Sequence, residues 1–398
     1  MRALVWLLFG VFAALALVRW EQREQAPALA EGPGLEVATV LAQGGETYEP
    51  VDGPVEFVFP RDHGPHPDFR NEWWYLTGNL RDADGRRFGY QLTFFRRALT
   101  PRAARLERES AFASDQLYMA HLAVSDLEND RIYAAERLSR AGSGLAGSRS
   151  APLEVWLEDW QLRAAAGAEF EASLRAQHAD AAIELRVRAL RPLVLQGERG
   201  YSRKSADGAS ASHYYSITRL ATEGELRIGE RRFRVSGQSW LDREWSSQGL
   251  AEGQSGWDWF ALQLSDGRDL MWYQLRALQG GSSYASGILV ETDGSSTLLG
   301  PEALEVRVLD YWQSRSSGVR YPSAWQLRLT DGELELEVSP RAPSQELELA
   351  FRYWEGAVEV QGRSGPDAVS GQGYVELTGY GQPRNFAYPA SRSPLHSP

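Results

Sequence analysis

The 398 residues carry a formal net charge of −11, with 43% hydrophobic and 24% charged side chains, the balance of a globular chain long enough for two domains. Without any basic run, so acidic a chain has no long-range attraction to nucleic acid or to an anionic membrane surface. Cysteine is absent, which removes disulfides, thiolate nucleophiles and cysteine zinc sites. Lys204 is the one lysine, so a Schiff base has no other place to form.

In chain order, Arg2 precedes an uncharged apolar run from Leu4 to Val18, and Arg19 ends it. This is the shape of an export signal, and it is short of the roughly 20 apolar residues of a spanning helix. Ala28-Leu29-Ala30 offers a small-residue cleavage pattern behind a charged spacer holding Arg19, Glu21, Arg23 and Glu24. Residues 1–20 are therefore read as a hydrophobic helix, either a cleaved signal peptide or an anchor in the inner membrane. Both alternatives place the rest in the periplasm, anchored or secreted. Residues 21–54 lack periodicity and read as a flexible linker.

From Val55 the texture is all-β. Runs rich in β-branched and aromatic residues include Trp73 to Leu80, Phe88 to Phe95, Tyr118 to Val124, Phe233 to Trp240, Trp257 to Leu264 and Asp269 to Leu275. Asp84-Gly85, Asp266-Gly267, Asp293-Gly294 and Asp331-Gly332 punctuate the chain as hairpin turns, where glycine supplies a positive φ. Short strands with such turns predict sandwiches or barrels. Two domains are expected, at 55–249 and 256–382, with Gly-rich residues between them and a disordered proline-containing tail at 383–398. Residues 102–112 read as a short helix or a loop.

Fourteen tryptophans is a high count for this length; some belong to the core, and others are candidates for an aromatic-walled pocket. Along an extended strand, Trp240, Asp242 and Glu244 share a face. A carboxyl enclosed beside tryptophan is desolvated, holds its proton, and can deliver it to an apolar substrate whose developing cation faces the ring. The alternative for Asp242 is an ion pair with an arginine such as Arg243, Arg96 or Arg219. Glu72 and Trp74 share a face of a strand that is aromatic on both sides, so Glu72 is either a paired buried acid or a catalytic one. His121, on a face with Met119, Ala123 and Ser125, either leaves room for a ligand or is a hydrogen-bonded core histidine. Trp257, Trp259, Tyr273 and Tyr215 are the further candidate ligand-binding walls. His63-Gly-Pro-His66 has the spacing of a metal pair, but its prolines forbid a helical pair and no third ligand follows, so no metal is assigned. Nucleophile-elbow, phosphate-loop and dinucleotide motifs are absent from the sequence.

The runs from Phe59 to Gly64, Glu72 to Gly78, Met119 to Asp126, Gly237 to Trp245, Tyr353 to Gly356 and Gly373 to Tyr380, together with Tyr214-Tyr215-Ser216, resemble the AttH-like group. That group is related to the carotenoid 1,2-hydratases, and the resemblance spans about residues 55–381. It implies two lipocalin-like (calycin) barrels packed together, working without a cofactor. It also implies an association with ABC-type transporter permeases. In the hydratase branch the acid sits in a Gly-x-Gly-Tyr-x-Asp pattern. Trp240-Leu241-Asp242 is the nearest match, with tryptophan in the tyrosine position and Glu244-Trp245 following. The expected function is binding of a hydrophobic lipid-like or terpenoid-like molecule. The alternative is a cofactor-free hydro-lyase or hydrolase with Asp242 as proton donor.

Overall fold

The computed structural model describes residues 48–101, 114–167 and 169–381. Residues 1–20, the segment 102–112 and the tail 383–398 lie outside them. Almost all regular structure among the described residues is β, gathered into two antiparallel sheets.

The first sheet begins with β1 (Asn71–Asp82), β2 (Arg87–Ala98), β3 (Gln116–Asp126), β4 (Arg131–Arg140), β5 (Ala146–Ser150), β6 (Leu153–Leu157) and β7 (Trp160–Ala164). It continues with β8 (Glu171–Gln177), β9 (Ala181–Ala189), β10 (Val194–Leu195), β11 (Tyr201–Arg203), β12 (Ala211–Ile228) and β13 (Arg231–Ser246). The second holds β14 (Gln254–Leu264), β15 (Asp269–Ala277), β16 (Ser282–Val290), β17 (Ser296–Leu299) and β18 (Leu304–Gln313). It closes with β19 (Arg320–Leu329), β20 (Leu334–Pro340), β21 (Glu346–Glu348), β22 (Arg352–Ser364) and β23 (Asp367–Thr378).

Hydrogen bonding orders the first sheet β4-β3-β2-β1-β13-β12-β9-β8-β7-β6-β5, and the second β17-β16-β15-β14-β23-β22-β20-β19-β18. In each the two end strands are consecutive in the chain, so the sheet curls until its edges approach and makes a nearly closed, lipocalin-like barrel. The four Asp-Gly pairs sit in the turns between β1 and β2, β14 and β15, β16 and β17, and β19 and β20. Their glycines have φ from +81° to +93°.

Three large apolar clusters follow among the described residues. One fills the first barrel around Trp74, Leu92, Trp160 and Leu241. Another fills the second around Trp272, Trp325 and Trp354. The third lies between the barrels, where Tyr75, Tyr214 and Trp240 meet Trp259, Met271 and Tyr374. β1, β12 and β13 are therefore covered on both faces, by their own barrel's core and by the other barrel, which explains aromatic residues at successive positions. At one close approach of the barrels, a Cβ on Gly89 would fall 2.5 Å from the Tyr374 hydroxyl and 3.0 Å from the Ala357 Cβ.

The linker assignment needs one correction. Residues 48–54 pack on the first barrel: Val51 is buried against Tyr201 and Ala211, and the Tyr48 hydroxyl donates to the Ala98 carbonyl at 2.9 Å. Proline and acidic residues hide this in the sequence, because a single buried valine leaves no periodic signal.

Candidate functional site

Strand alternation and register build the site. In the β1–β13 pair, Tyr75 lies opposite Asp242 and Trp73 opposite Glu244; in the β12–β13 pair, Ser216 lies opposite Asp242 and Tyr214 opposite Glu244. All these side chains point out of the first barrel toward the second. There Trp257 and Trp259 on β14, Tyr273 on β15 and Glu376 on β23 complete the lining of a cavity of about 120 Å³, with mostly apolar walls. That approaches the roughly 150 Å³ of an engineered cavity that binds benzene. A larger groove of about 1,020 Å³ also exists, but it is lined by residues such as Arg87, Arg186, Glu171 and Gln238, and holds none of these acids. The smaller, aromatic-walled cavity is the candidate site.

Asp242 is 3% exposed and has no arginine partner among the described residues. Its Oδ2 accepts from the Tyr214 hydroxyl at 2.6 Å, and its Oδ1 from the Ser216 hydroxyl at 2.5 Å and Trp240 Nε1 at 2.6 Å. Two of these donors are themselves oriented. Trp259 Nε1 donates to the Tyr214 oxygen at 3.2 Å, and Gln196 Nε2 to the Ser216 oxygen at 2.8 Å, so each hydroxyl hydrogen is left for Asp242. Burial raises the Asp242 carboxyl to about 7, against the pull of the three donors, and Glu244 adds to the rise. Arg243, Arg96 and Arg219, the partners considered from sequence, are engaged elsewhere: the first two hold Glu72 and the third holds Asp269.

Glu244 accepts from the Ser212 hydroxyl and pairs with Lys204 at 2.9 Å. The Lys204 ammonium also lies 4.4 Å from the Tyr273 ring centre and 5.1 Å from that of Tyr214. Trp257 Nε1 donates to Glu376 Oε2 at 2.8 Å. Burial raises the Glu376 carboxyl to about 7, with Trp257 opposing and the charges of Asp242 and Glu244 contributing. Behind it, the Tyr75 hydroxyl donates to Glu355 at 2.6 Å, and burial together with Glu376 holds the Glu355 carboxyl well above its ordinary value.

Of the sequence candidates, Asp242, Glu244, Trp257, Trp259 and Tyr273 line the cavity, and Trp240 reaches it through its bond to Asp242. Four are placed elsewhere. Trp74 lies opposite Arg243 and points into the first barrel's core, where its Nε1 donates to the His63 carbonyl at 2.9 Å. Tyr215 likewise lies opposite Arg243, and its hydroxyl meets His63 Nδ1 at 2.7 Å. Both have the wrong parity, and their neighbours Trp73, Tyr75 and Tyr214 take the cavity face. Glu72 is held by Arg96 at 2.6 Å, Arg243 at 2.5 Å and His66 at 2.7 Å. Burial alone would push its carboxyl up, yet Arg243, Arg96 and His66 keep it well below its ordinary value, so it is an ionised anchor for the 59–66 loop. His121 stands behind the wall. Its Nδ1 meets the hydroxyl of cavity-lining Tyr353 at 2.7 Å, and burial lowers it to about 3, so it is neutral at ordinary pH. Among the described residues no three His, Cys, Asp or Glu side chains are arranged to hold a metal.

Sequence reasoning passed over Tyr214, Lys204, Glu355 and Glu376. The signal for Lys204 was its solitude in an arginine-rich chain. Glu355 and Glu376 stood inside runs read only as marks of resemblance.

A model of the AttH-like family matches residues 50–380. Among solved structures, an AttH protein of Nitrosomonas europaea superposes with a TM-score of 0.74 at 36% identity, over 83% of this chain and 99% of that one. Kievitone hydratase from Nectria haematococca gives a TM-score of 0.62 at 15% identity, over 83% of this chain and 96% of its own. The protein CghA gives 0.50 at 14% identity, over 85% of this chain and 97% of its own. At those last two identities the likeness is one of fold. No curated protein matches the chain.

Proposed function

The chain belongs to the AttH-like family, and we propose that its cavity binds the apolar, unsaturated end of a larger hydrophobic molecule and adds a proton to it, as the first step of a cofactor-free, hydratase-type reaction. The observation that carries this reading is Asp242: a buried carboxyl with no cation, on the wall of an aromatic cavity, held by three oriented donors. An acid without a cation keeps its proton near neutral pH. The same three donors stabilise the carboxylate once that proton leaves, as a general acid requires. The aromatic wall formed by Trp259, Trp257 and Tyr214 suits a developing carbocation. A cavity of about 120 Å³ suits one branched isoprenoid unit or one ring, so the rest of the molecule would lie outside it. The fold shared with kievitone hydratase is compatible with such chemistry.

Incubation with geraniol, a trisubstituted isoprenoid alkene, in heavy water tests the reading. The wild type should place deuterium on the alkene carbon and Asp242→Asn should not. Equal labelling by both would remove Asp242 from the reaction.

A second reading is a carrier that holds a lipid or terpenoid unchanged. The mostly apolar wall of the cavity favours it, and so does the apolar run Leu4 to Val18, which suits a protein anchored in the inner membrane or secreted. Such a carrier would work in the periplasm, accessory to an ABC-type permease. It should co-purify with an intact hydrophobic molecule that Asp242→Asn retains equally.

A further inference from the structure

Asp242 has a counterpart on the other barrel. Glu376 faces the same cavity from β23 and accepts one bond, from Trp257. It makes no ion pair among the described residues. Its cross-strand neighbours are Trp259 on β14 and Glu355 on β22. Glu355 is buried, with one oxygen accepting from Tyr75 and the other without a partner, so it holds its own proton and adds no positive charge. The one lysine facing the cavity, Lys204, is taken by Glu244. Two carboxyls, one from each barrel, thus face one aromatic-walled cavity with no cation pairing either among the described residues. Ionising both together is costly, so over a range of pH one holds a proton while the other is charged. An acid–base pair needs that distribution: a neutral donor and a charged acceptor on one cavity.

We infer that Glu376 is the proton acceptor that completes the Asp242 site, which rests on the hydratase-type reading above. As the π bond opens, the Asp242 O–H breaks and a C–H bond forms at one alkene carbon, leaving the cation on the other. A water oxygen bonds to that cation, and the proton it releases goes to Glu376. Alkene and water give an alcohol; one proton has left Asp242 and one has arrived on Glu376, and exchange with solvent resets the pair. The two reacting groups come from different barrels, so the site exists only where the barrels dock.

The test uses the full chain, geraniol, heavy water and oxygen-18 water. Asp242→Asn should lose both deuterium uptake by the alkene and oxygen-18 uptake into alcohol. Glu376→Gln should still place deuterium in recovered or isomerised alkene, while oxygen-18 uptake falls by about 100-fold, in the range for loss of a general base. Hydration at the wild-type rate by Glu376→Gln, or loss of both labels to the same extent, would overturn the assignment. Infrared titration of the carboxyls, with no alkene present, gives an independent readout. Asp242→Asn should lower the Glu376 midpoint by about one pH unit as the neighbouring charge disappears, and an unmoved midpoint would overturn the pairing. A wild type inert toward geraniol would count against the hydratase reading itself, and the titration would still decide whether the two carboxyls act together.

Discussion

Replacing Asp242 by asparagine should make the protein more stable at pH 8 and leave it no more stable at pH 4. The folded state holds the Asp242 proton up to about pH 7, whereas the unfolded chain releases it near the ordinary value of 3.8. Between those values the folded state binds the extra proton, so stability falls as pH rises and the full penalty is present above about 7. A displacement of about three units corresponds to roughly 4 kcal/mol. Asparagine is never charged and escapes that penalty. It keeps the Ser216 and Trp240 bonds through its oxygen but turns an N–H toward the Tyr214 oxygen, which loses about 1 kcal/mol. The net gain is about 3 kcal/mol at pH 8, replaced by a loss of about 1 kcal/mol at pH 4. Urea unfolding of both proteins across this range, with the slope checked for constancy, measures the difference. A variant destabilised equally at both ends would mean that Asp242 is ionised throughout as a structural acceptor, and the acid assignment would fall. The predicted gain is the usual sign of a site held in a form that folding alone would not choose.

Glu72→Gln should destabilise the first barrel by about 3–5 kcal/mol, because Arg96 and Arg243 would stay buried without their counter-charge; a loss below about 1 kcal/mol in urea would show the cluster to be dispensable. His121 is neutral in the folded state down to about pH 3, while the unfolded chain protonates it near 6.5, so stability drains away as pH falls through that window. His121→Gln should therefore flatten the decline between pH 6 and 4 by about 2–3 kcal/mol, and an unchanged slope would mean the imidazole charges without unfolding. Gly89→Ala should weaken the docking of the barrels, since the methyl meets the Tyr374 hydroxyl and Ala357 Cβ; a drop in the unfolding midpoint together with altered tryptophan emission is the expected reading, and wild-type values for both would contradict the close approach.

The strands and hairpins were legible because their causes are local. β-branched and aromatic runs suit a pleated surface buried on one or both faces, and Asp-Gly accommodates the positive φ of Gly85, Gly267, Gly294 and Gly332. The face of each strand was not legible in the same way. Alternation separates Trp73 and Tyr75 from Trp74, and Tyr214 from Tyr215, but when both sets are aromatic it does not say which set looks into the cavity. The register across β13 decides: whatever lies opposite Asp242 and Glu244 faces the second barrel, and whatever lies opposite Arg243 faces the first core. The arginine partners considered for Asp242 illustrate the same limit, since Arg243 is adjacent in sequence yet points to the other side of the sheet. Glu376 and Lys204 depend on how one barrel docks on the other, an arrangement written in shape rather than in any periodic pattern.

A hydrophobic molecule that enters the cavity and is changed by Asp242 should leave a difference between the wild-type and Asp242→Asn proteins. Mass spectrometry of the hydrophobic molecules that co-purify with the protein from its own host, comparing wild type with Asp242→Asn, tests this most directly. The variant should retain an unsaturated molecule which the wild type has lost or holds as a species one water heavier. The same unmodified molecule on both proteins, in equal amount, would contradict it and leave the barrels as a carrier.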